Sequence, residues 1–307
     1  LKVLQVFLFY LYYLFYFQLI IKGILIVISI IIPVFNAENY VRNNFYNLLK
    51  QKFNNFEVIY INDGSSDNTE SILNELVERD RRFSFYTINN RGACAARIIG
   101  VRKSKFDYVS FLDIDDYLDE FFLEILYENI LEKKADIVCC GFVLIKGKSE
   151  IKKLNIKPGF YLKESYLVEL LRNSGWEMCA KLYKKSLFDG VELPNRKLLI
   201  GEDAFLFFQV VLSAKSILVV DYFLYYYNIH VGSTSHIKSL KTVEDGLYVA
   251  EYLSKKIEGI ADRKDIDTMV LLFYSNSLRR GFLPRSNPYF QIVRESFSLG
   301  GLCGLPV

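Results

Sequence analysis

Apolar runs alternate with amphipathic stretches over the first third of the chain. The apolar, β-favouring runs are residues 24–33, 57–62, 83–88 and 108–112. The amphipathic stretches between them are residues 38–51, 67–80 and 92–103. Continuous apolar runs of this length are typical of strands that are covered on both faces. The alternation predicts strand–helix–strand units, and therefore an α/β fold with a mostly parallel central sheet and flanking helices.

The pattern is looser after residue 117. It predicts helices at residues 121–134 and 163–173, a helix that opens at Gly201, a buried strand at 136–144 and short strands at 217–220 and 223–227. Residues 147–157 are charged and are expected to form an exposed connection, and residues 228–236 a polar loop. Residues 237–297 are expected to be helical, with charged faces and weak caps.

The N-terminal residues 3–21 form an apolar and aromatic run that only Gln5 and Gln18 interrupt. Its length is close to the roughly 20 residues that a membrane-spanning helix needs. Two interpretations of residues 1–23 stay open, a membrane anchor or a start site placed too far upstream, since the chain opens on Leu1 and its first methionine is Met178. A signal peptide is disfavoured because no small-residue cleavage pattern follows the run.

Composition excludes several classes of protein. A chain that is 51% hydrophobic and 16% aromatic is not intrinsically disordered. The net charge is +3 and the basic residues are spread in pairs, which argues against a nucleic-acid partner and leaves weak attraction to an anionic membrane surface open. The cysteines number five, with no C-x-x-C spacing. That pattern is against a disulfide framework or a zinc site and favours a reducing, cytoplasmic compartment.

Polar clusters follow the predicted strands at the point where each strand ends. They occupy residues 33–36, 62–67, 89–92 and 113–116. In open parallel sheets, ligands bind outside the carboxyl ends of the strands. Turn formation alone could explain any one cluster, but two of them carry acids directly at the strand tip. We therefore expect the clusters to form one pocket.

The last of these clusters contains Asp113, Asp115 and Asp116. Carboxylates at such density repel one another, and a hard divalent cation such as Mg²⁺ or Mn²⁺ would remove the repulsion because it prefers oxygen ligands. A solvated acidic turn before the next helix is the alternative. Glu202 and Asp203 stand in the first turn of a predicted helix, where the helix dipole alone would favour acids.

Six segments, taken together, resemble the family 2 glycosyltransferases, in particular bacterial enzymes of capsule, lipopolysaccharide and exopolysaccharide assembly. They are residues 29–36, 62–67, 92–100, 111–116, 180–183 and 201–203, in the family's order. The resemblance covers about residues 28–236. It implies a GT-A fold, a nucleotide-diphosphate sugar donor of the UDP type, a divalent cation (Mg²⁺ or Mn²⁺) and transfer with inversion to a glycan or lipid-linked acceptor.

The resemblance also implies a division of the chain. Residues 24–236 would be the GT-A domain, with a nucleotide-binding half at 24–116 and an acceptor half at 117–236, followed by a helical C-terminal extension at 237–307. An enzyme of this kind would work in the cytoplasm, at the inner face of the cell membrane.

Carried over residue by residue, the resemblance assigns roles within the pocket. The residues expected to contact the nucleotide sugar are Pro33, Phe35, Asn36, Glu38, Asp63, Arg97 and Asp113. Asp63 and the loop after Pro33 would meet the base and ribose, and Arg97 would lie near the diphosphate. The metal ligands would be Asp115 and Asp113, with His236 as a third ligand or else an exposed loop histidine. Asp203 would be the catalytic base.

Two departures from the family pattern, Ile98 and Ala180, stand where asparagine is usual, and both are expected to affect donor preference. Trp176 would either stack on an acceptor sugar or belong to the core. A non-catalytic nucleotide-sugar-binding protein is the alternative function, although both Asp115 and Asp203 are present. A sugar nucleotidyltransferase is disfavoured because no glycine-rich loop follows the first strand.

Overall fold

A computed structural model describes residues 28–229 and 239–279. Its strands are β1 (Ile28–Val34), β2 (Phe56–Asn62), β3 (Phe83–Thr87), β4 (Tyr108–Phe111), β5 (Tyr117–Leu118), β6 (Ile137–Lys146), β7 (Ser149–Lys153), β8 (Gly159–Leu162), β9 (Lys181–Lys184) and β10 (Ser216–Asn228). Its α-helices are α1 (Val41–Leu48), α2 (Thr69–Val77), α3 (Ala93–Lys103), α4 (Phe122–Lys133), α5 (Lys163–Asn173), α6 (Glu202–Ser213), α7 (Leu240–Ile257) and α8 (Arg263–Arg279).

The strands of the described residues form one sheet in the order β3-β2-β1-β4-β9-β6-β10-β5, with β7 beside β6 and β8 beside β10. Strands β3, β2, β1 and β4 run parallel to one another. Strand β9 runs antiparallel between β4 and β6, and β10 is parallel to β6. The mostly parallel sheet with flanking helices that the sequence predicts is confirmed.

Strand β1 is covered on both faces, as its continuous apolar run predicts. Successive side chains of a strand point to opposite faces. Ile31 accordingly packs in the cluster that contains Ile98 of α3, whereas Ile30 and Ile32 pack in the opposite cluster with Phe45 of α1. Because β1, β2 and β4 are parallel, the polar residues that follow them emerge at the same edge of the sheet.

Two predictions for the second half need correction. The expected exposed connection at residues 147–157 contains strand β7, which is exposed along its whole length but pairs with β6. The two short strands expected at residues 217–220 and 223–227 form the single strand β10, whose register against β6 shifts between Val219 and Phe223. A local shift of this kind bends a strand without ending it, so the polar break in the sequence does not separate two elements.

The predicted C-terminal helices are present and pack on the rest of the fold. Helix α7 begins with a capping box, in which the Ser239 hydroxyl accepts a hydrogen bond from the Thr242 N–H, so the expectation of weak caps is wrong for this helix. Trp176 stacks on Phe273 of α8, with ring centroids 5.1 Å apart, and packs against the same core cluster. This contact ties Trp176 to the core, but Trp176 is only partly buried and also lines the cavity at the carboxyl edge of the sheet, so stacking on an acceptor sugar stays a prediction.

The apolar run at residues 1–23 and the histidines His230 and His236 lie outside the described residues. Among the helices that the structure does describe, none is both long and apolar enough to cross a membrane. The cysteines of the described part, Cys94, Cys139, Cys140 and Cys179, are buried free thiols, as expected of small core side chains.

Helix α3 approaches β1 so closely that Gly100 has no room for a side chain. A Cβ at this position would lie 2.3 Å from Cγ2 of Ile31. We expect Gly100→Ala to lower the free energy of unfolding by about 1–3 kcal/mol, as overpacking does, although alanine is the better helix former. In an Ile31→Ala background the same substitution should be neutral or stabilising. Urea unfolding of the four proteins checks this, and an equal cost in both backgrounds would refute the steric explanation.

Candidate active site

A cavity of about 820 Å³ opens at the carboxyl edge of the parallel strands. Of the residues predicted to form a pocket, it brings together Pro33, Phe35, Asn36, Asp63, Arg97, Asp113, Asp115 and Asp203. Glu177, Tyr227 and the C-terminal residues Gly246 and Phe273 also line it, although no motif singled them out. A smaller cavity of about 370 Å³, at the amino end of β4, contains none of the predicted residues. The predicted pocket therefore exists as one space.

The side chain of Arg97 on α3 lies at the centre of this site. Arg97 is 3% exposed, and its Nη2 donates a hydrogen bond to Oδ1 of Asp113 at 2.9 Å. Its Nη1 lies 2.7 Å from Oδ1 of Asp203, in an ion pair that lacks the alignment of a hydrogen bond. A carboxylate oxygen of Glu202 is 3.9 Å from the same nitrogen. One guanidinium thus joins the tip of β4 to the first turn of α6.

Asp203 and Glu202, at the start of α6, have pKa values above those of exposed acids. Burial raises the pKa of Asp203, the Arg97 guanidinium opposes this shift, and the charge of Asp113 adds to it. Burial and the charge of Asp203 raise the pKa of Glu202 to about 8. A carboxylate with a raised pKa is a stronger base, provided that it remains ionised. Arg97 favours the ionised form of Asp203.

The turn after β4 is fixed by a strand from the second half of the chain. The buried carboxylate of Asp116 accepts hydrogen bonds from the Tyr225 hydroxyl at 2.7 Å and from the Asn228 N–H at 2.8 Å. The Tyr225 oxygen in turn accepts a hydrogen bond from the Asp113 N–H at 3.2 Å. Burial and the charge of Asp113 raise the pKa of Asp116 to about 8. Asp116 therefore shapes the turn, and Tyr225, which lies in the predicted strand at residues 223–227, orients it.

Asp63 stabilises the loop that leads into α3. Its two carboxylate oxygens accept hydrogen bonds from the backbone N–H groups of Arg91 and Gly92, each at 2.7 Å. Gly92 has a φ of +90°, a conformation that favours glycine. Asp63 still lines the cavity, and its predicted contact with the nucleotide stays a prediction.

Asn36 and Glu38 connect the loop after β1 to the start of α2. The Asn36 side-chain oxygen accepts a hydrogen bond from the Ser66 N–H at 2.8 Å. Glu38 accepts two hydrogen bonds from Asn68, one from the backbone at 3.0 Å and one from the side chain at 2.9 Å. Glu38 is not among the residues that line the cavity, so the structure gives it a part in holding the loop. Its nucleotide contact remains a prediction.

The predicted metal ligands Asp113 and Asp115 both line the cavity. Within residues 28–229 and 239–279, no group of three or more histidine, cysteine, aspartate and glutamate side chains is arranged to hold a metal ion. The third predicted ligand, His236, lies outside these residues.

The two departures from the family pattern affect packing and not the cavity wall. Ile98 is 3% exposed and belongs to the core between the sheet and α6. Ala180 is fully buried and has a φ of +58°, in the left-handed region that asparagine tolerates better than alanine. Neither residue lines the cavity. The expectation that they alter direct donor contacts is therefore not supported by their positions.

Comparison with known proteins places the chain among glycosyltransferases. The model of glycosyl transferase family 2 matches residues 29–191. The glycosyltransferase GlyA of Streptococcus pneumoniae is 31% identical over 224 residues, 68% of this chain and 32% of GlyA. The chain thus spans about a third of the length of that relative. The putative glycosyltransferase EpsH of Bacillus subtilis is 29% identical over 294 residues, 91% of this chain and 84% of EpsH.

A similar fold is found in S. aureus TarS residues 1–349, whose structure was solved in complex with UDP-GlcNAc. The TM-score is 0.66 at 20% sequence identity, over 88% of this chain and 77% of that one. This likeness concerns the fold, and it confirms the GT-A arrangement expected from the sequence.

The Arg97 ion pairs generate a prediction about stability and pH. Arg97→Met leaves the partly buried Asp203 without its counter-charge and should destabilise the fold by about 1–3 kcal/mol at pH 7, less than the loss of a fully buried pair. The substitution should also raise the pKa of Asp203 further above its value in the unfolded chain. The folded state then binds more protons than the unfolded state, so stability falls as the pH rises through this range. The deficit relative to wild type should be larger at pH 8 than at pH 5.

Chemical denaturation at the two pH values measures this deficit. Arg102→Met is the matched control, since Arg102 is an exposed arginine of the same helix. A deficit for Arg97→Met that does not change with pH would show that the guanidinium does not hold Asp203 ionised.

Proposed function

The chain belongs to glycosyl transferase family 2, and we propose that it transfers a sugar from a UDP-sugar to a hydroxyl group of a glycan or lipid-linked acceptor, with inversion at the anomeric carbon. The observation that carries the proposal is the meeting of Asp113, Arg97 and Asp203 in one cavity. These residues come from separate parts of the chain. Such an acceptor belongs to cell-surface polysaccharide synthesis and would bring the enzyme to the inner face of the membrane.

The donor would occupy the cavity along the carboxyl edge of β1, β2 and β4. Phe35 and Asn36 lie in the wall of the cavity with Asp63, and they offer an aromatic face and polar atoms to a base and ribose. TarS, solved with UDP-GlcNAc, shares the fold at 20% identity, which supports uridine as the nucleotide. Which sugar is transferred would depend on the shape of the cavity.

The charge of the cavity supports a divalent cation as cofactor. Among the described residues, two basic side chains, Arg97 and Lys153, line it together with seven carboxyl groups, those of Asp63, Asp113, Asp115, Asp116, Glu177, Glu202 and Asp203. Even with Asp116 and Glu202 protonated, acids outnumber bases. A diphosphate would be repelled unless a cation accompanied it. Asp115 and Asp113 present the oxygen ligands that Mg²⁺ or Mn²⁺ prefers, and the bound cation would neutralise charge on the departing diphosphate.

Asp203 would act as the general base. The acceptor oxygen attacks the anomeric carbon from the side opposite the diphosphate, and the bond between that carbon and the phosphate oxygen breaks with its electron pair going to UDP. The hydroxyl proton passes to a carboxylate oxygen of Asp203. The raised pKa of Asp203 makes it a better proton acceptor than an exposed aspartate. A single displacement of this kind inverts the configuration.

Donor specificity and metal dependence can be tested together. With Mn²⁺ present and no acceptor, we expect the full chain to hydrolyse UDP-sugars slowly, since water can replace the acceptor hydroxyl, and we expect EDTA to abolish the reaction. Release of nucleotide from a panel of UDP-, GDP- and dTDP-sugars provides the measurement. Asp115→Asn should show the same loss without EDTA, whereas Asp221→Asn, at an exposed acid of β10, should behave as wild type. Hydrolysis that is confined to GDP- or dTDP-sugars would contradict the uridine assignment.

A second prediction concerns the base. Asp203→Asn should lower the rate of UDP-sugar hydrolysis by roughly 10²–10⁴-fold, because an amide cannot accept the proton, while the affinity for UDP measured by calorimetry stays the same. Glu202→Gln is the matched comparison, since Glu202 is the adjacent acid in the same helical turn, and it should cost less activity. If Glu202→Gln were the more damaging substitution, the role of base would pass to Glu202.

A further inference from the structure

A buried acid lies on helix α7, outside the walls of the cavity. The Asp245 side chain has no exposed surface, and its Oδ2 accepts a hydrogen bond from the Leu199 N–H at 2.8 Å. Its Oδ1 accepts a hydrogen bond from Lys241 at 2.9 Å, and a nitrogen of Arg196 lies 3.7 Å away. Replacing a buried ion pair by apolar side chains is often neutral or stabilising. Stability alone therefore does not explain an aspartate here.

Asp245 hydrogen-bonds to the segment of residues 199–201, which immediately precedes α6 and the proposed base. Leu199 and Gly201 precede Asp203 in the chain, and both line the cavity. Gly201 has a φ of +76°, and a Cβ on it would lie 3.2 Å from Cγ2 of Val249 on α7. Helix α7 thus limits the path of the backbone immediately before α6 begins.

Further contacts fix the same segment and the first turn of α6 on α7. The Tyr252 hydroxyl donates a hydrogen bond to Glu192 at 2.9 Å, and Arg196 lies over the Tyr248 ring, 4.7 Å from its centroid. Phe205, in the first turn of α6, stacks on Tyr252 with ring centroids 4.2 Å apart. Of the contacts described here between α7 and residues 192–205, only the hydrogen bond of Asp245 to Leu199 joins a buried charge to the backbone before α6.

We propose that Asp245 is a positioning residue for catalysis, which places the start of α6, and with it the Asp203 carboxylate, through its hydrogen bond to the Leu199 N–H. The proposal rests on Asp203 being the base of the proposed function. A displacement of about 1 Å in a catalytic group can cost roughly 10²-fold in rate. A buried carboxylate that is anchored by Lys241 and Arg196 is a rigid acceptor for the loop, because its ion pairs restrict its own movement.

Substitutions at Asp245 test the role of the hydrogen bond. Asp245→Leu removes the acceptor, and we expect kcat for UDP-sugar hydrolysis to fall at least ~10-fold with little change in the donor KM. Asp245→Asn keeps an oxygen that can accept from the Leu199 N–H, so it should recover most of kcat. An Asp245→Leu enzyme with normal kcat, or an Asp245→Asn enzyme as impaired as Asp245→Leu, would overturn the proposal.

Asp265 on α8 provides the matched control. It is 2% exposed and accepts a hydrogen bond from Arg172 at 2.6 Å, so Asp265→Leu also removes a buried, ion-paired acid from the C-terminal helices. We expect Asp265→Leu to lower stability and to keep kcat. An equal loss of kcat in Asp265→Leu would mean that general destabilisation is the cause, and would refute a positioning role.

Hydrogen–deuterium exchange separates this proposal from the proposed function. Amides of residues 199–206 should exchange faster in Asp245→Leu than in wild type, Asp245→Asn or Asp265→Leu, whether or not a turnover assay succeeds. If wild type hydrolysed no nucleotide sugar, the proposed function would fail while the exchange comparison still decided the placement of α6.

Should Asp245→Leu not fold, Leu199→Pro removes the donated N–H, while it also fixes φ of residue 199 and changes the side chain, and Leu199→Ala, which keeps the N–H, is its control. The same loss of kcat is then expected, and a normal kcat would overturn the proposal.

Discussion

One buried guanidinium makes it possible for acids from distant parts of the chain to share a cavity. Arginine keeps its charge in proteins, so burying Arg97 requires negative partners, and Asp113 and Asp203 fill that need from the tip of β4 and the start of α6. Without Arg97, like charges at this edge would repel one another or take up protons. The charge balance therefore fixes both the geometry of the site and the protonation of its proposed base.

The same balance explains why the neighbouring acids differ in role. Asp116 is buried against Tyr225 and Asn228, where a charge is costly, and it is suited to hold the turn. Asp113 and Asp115 are less buried and line the cavity, where a bound divalent cation would compensate their charge. Three aspartates within four positions thus divide into a buried one that shapes the turn and two partly exposed ones that are the proposed metal ligands.

The central strands and the position of the cavity could be predicted from the sequence, because local patterns determine them. The apolar runs predicted the central strands, and the parallel sheet then required the polar clusters to meet at one edge. The roles within the acidic cluster could not be predicted, since Tyr225 and Asn228 reach Asp116 from more than 100 positions away. The left-handed backbone of Ala180 and the single strand β10 depend likewise on tertiary contacts that no local pattern reports.

The C-terminal helices show why the parallel sheet alone does not complete the site. The family match ends at residue 191, whereas Asp203 stands beyond it, on a helix that must be held over the edge of the sheet. One hydrophobic cluster runs from Ile98 of α3 through Phe207 of α6 to Leu253 of α7 and Met269 of α8. Since these helices share a core, a shift of α7 must be transmitted to α6, because closely packed interiors transmit strain. The sheet supplies the acids that are proposed to meet the donor, and the placement of the proposed base depends on helices that follow the sheet in the chain.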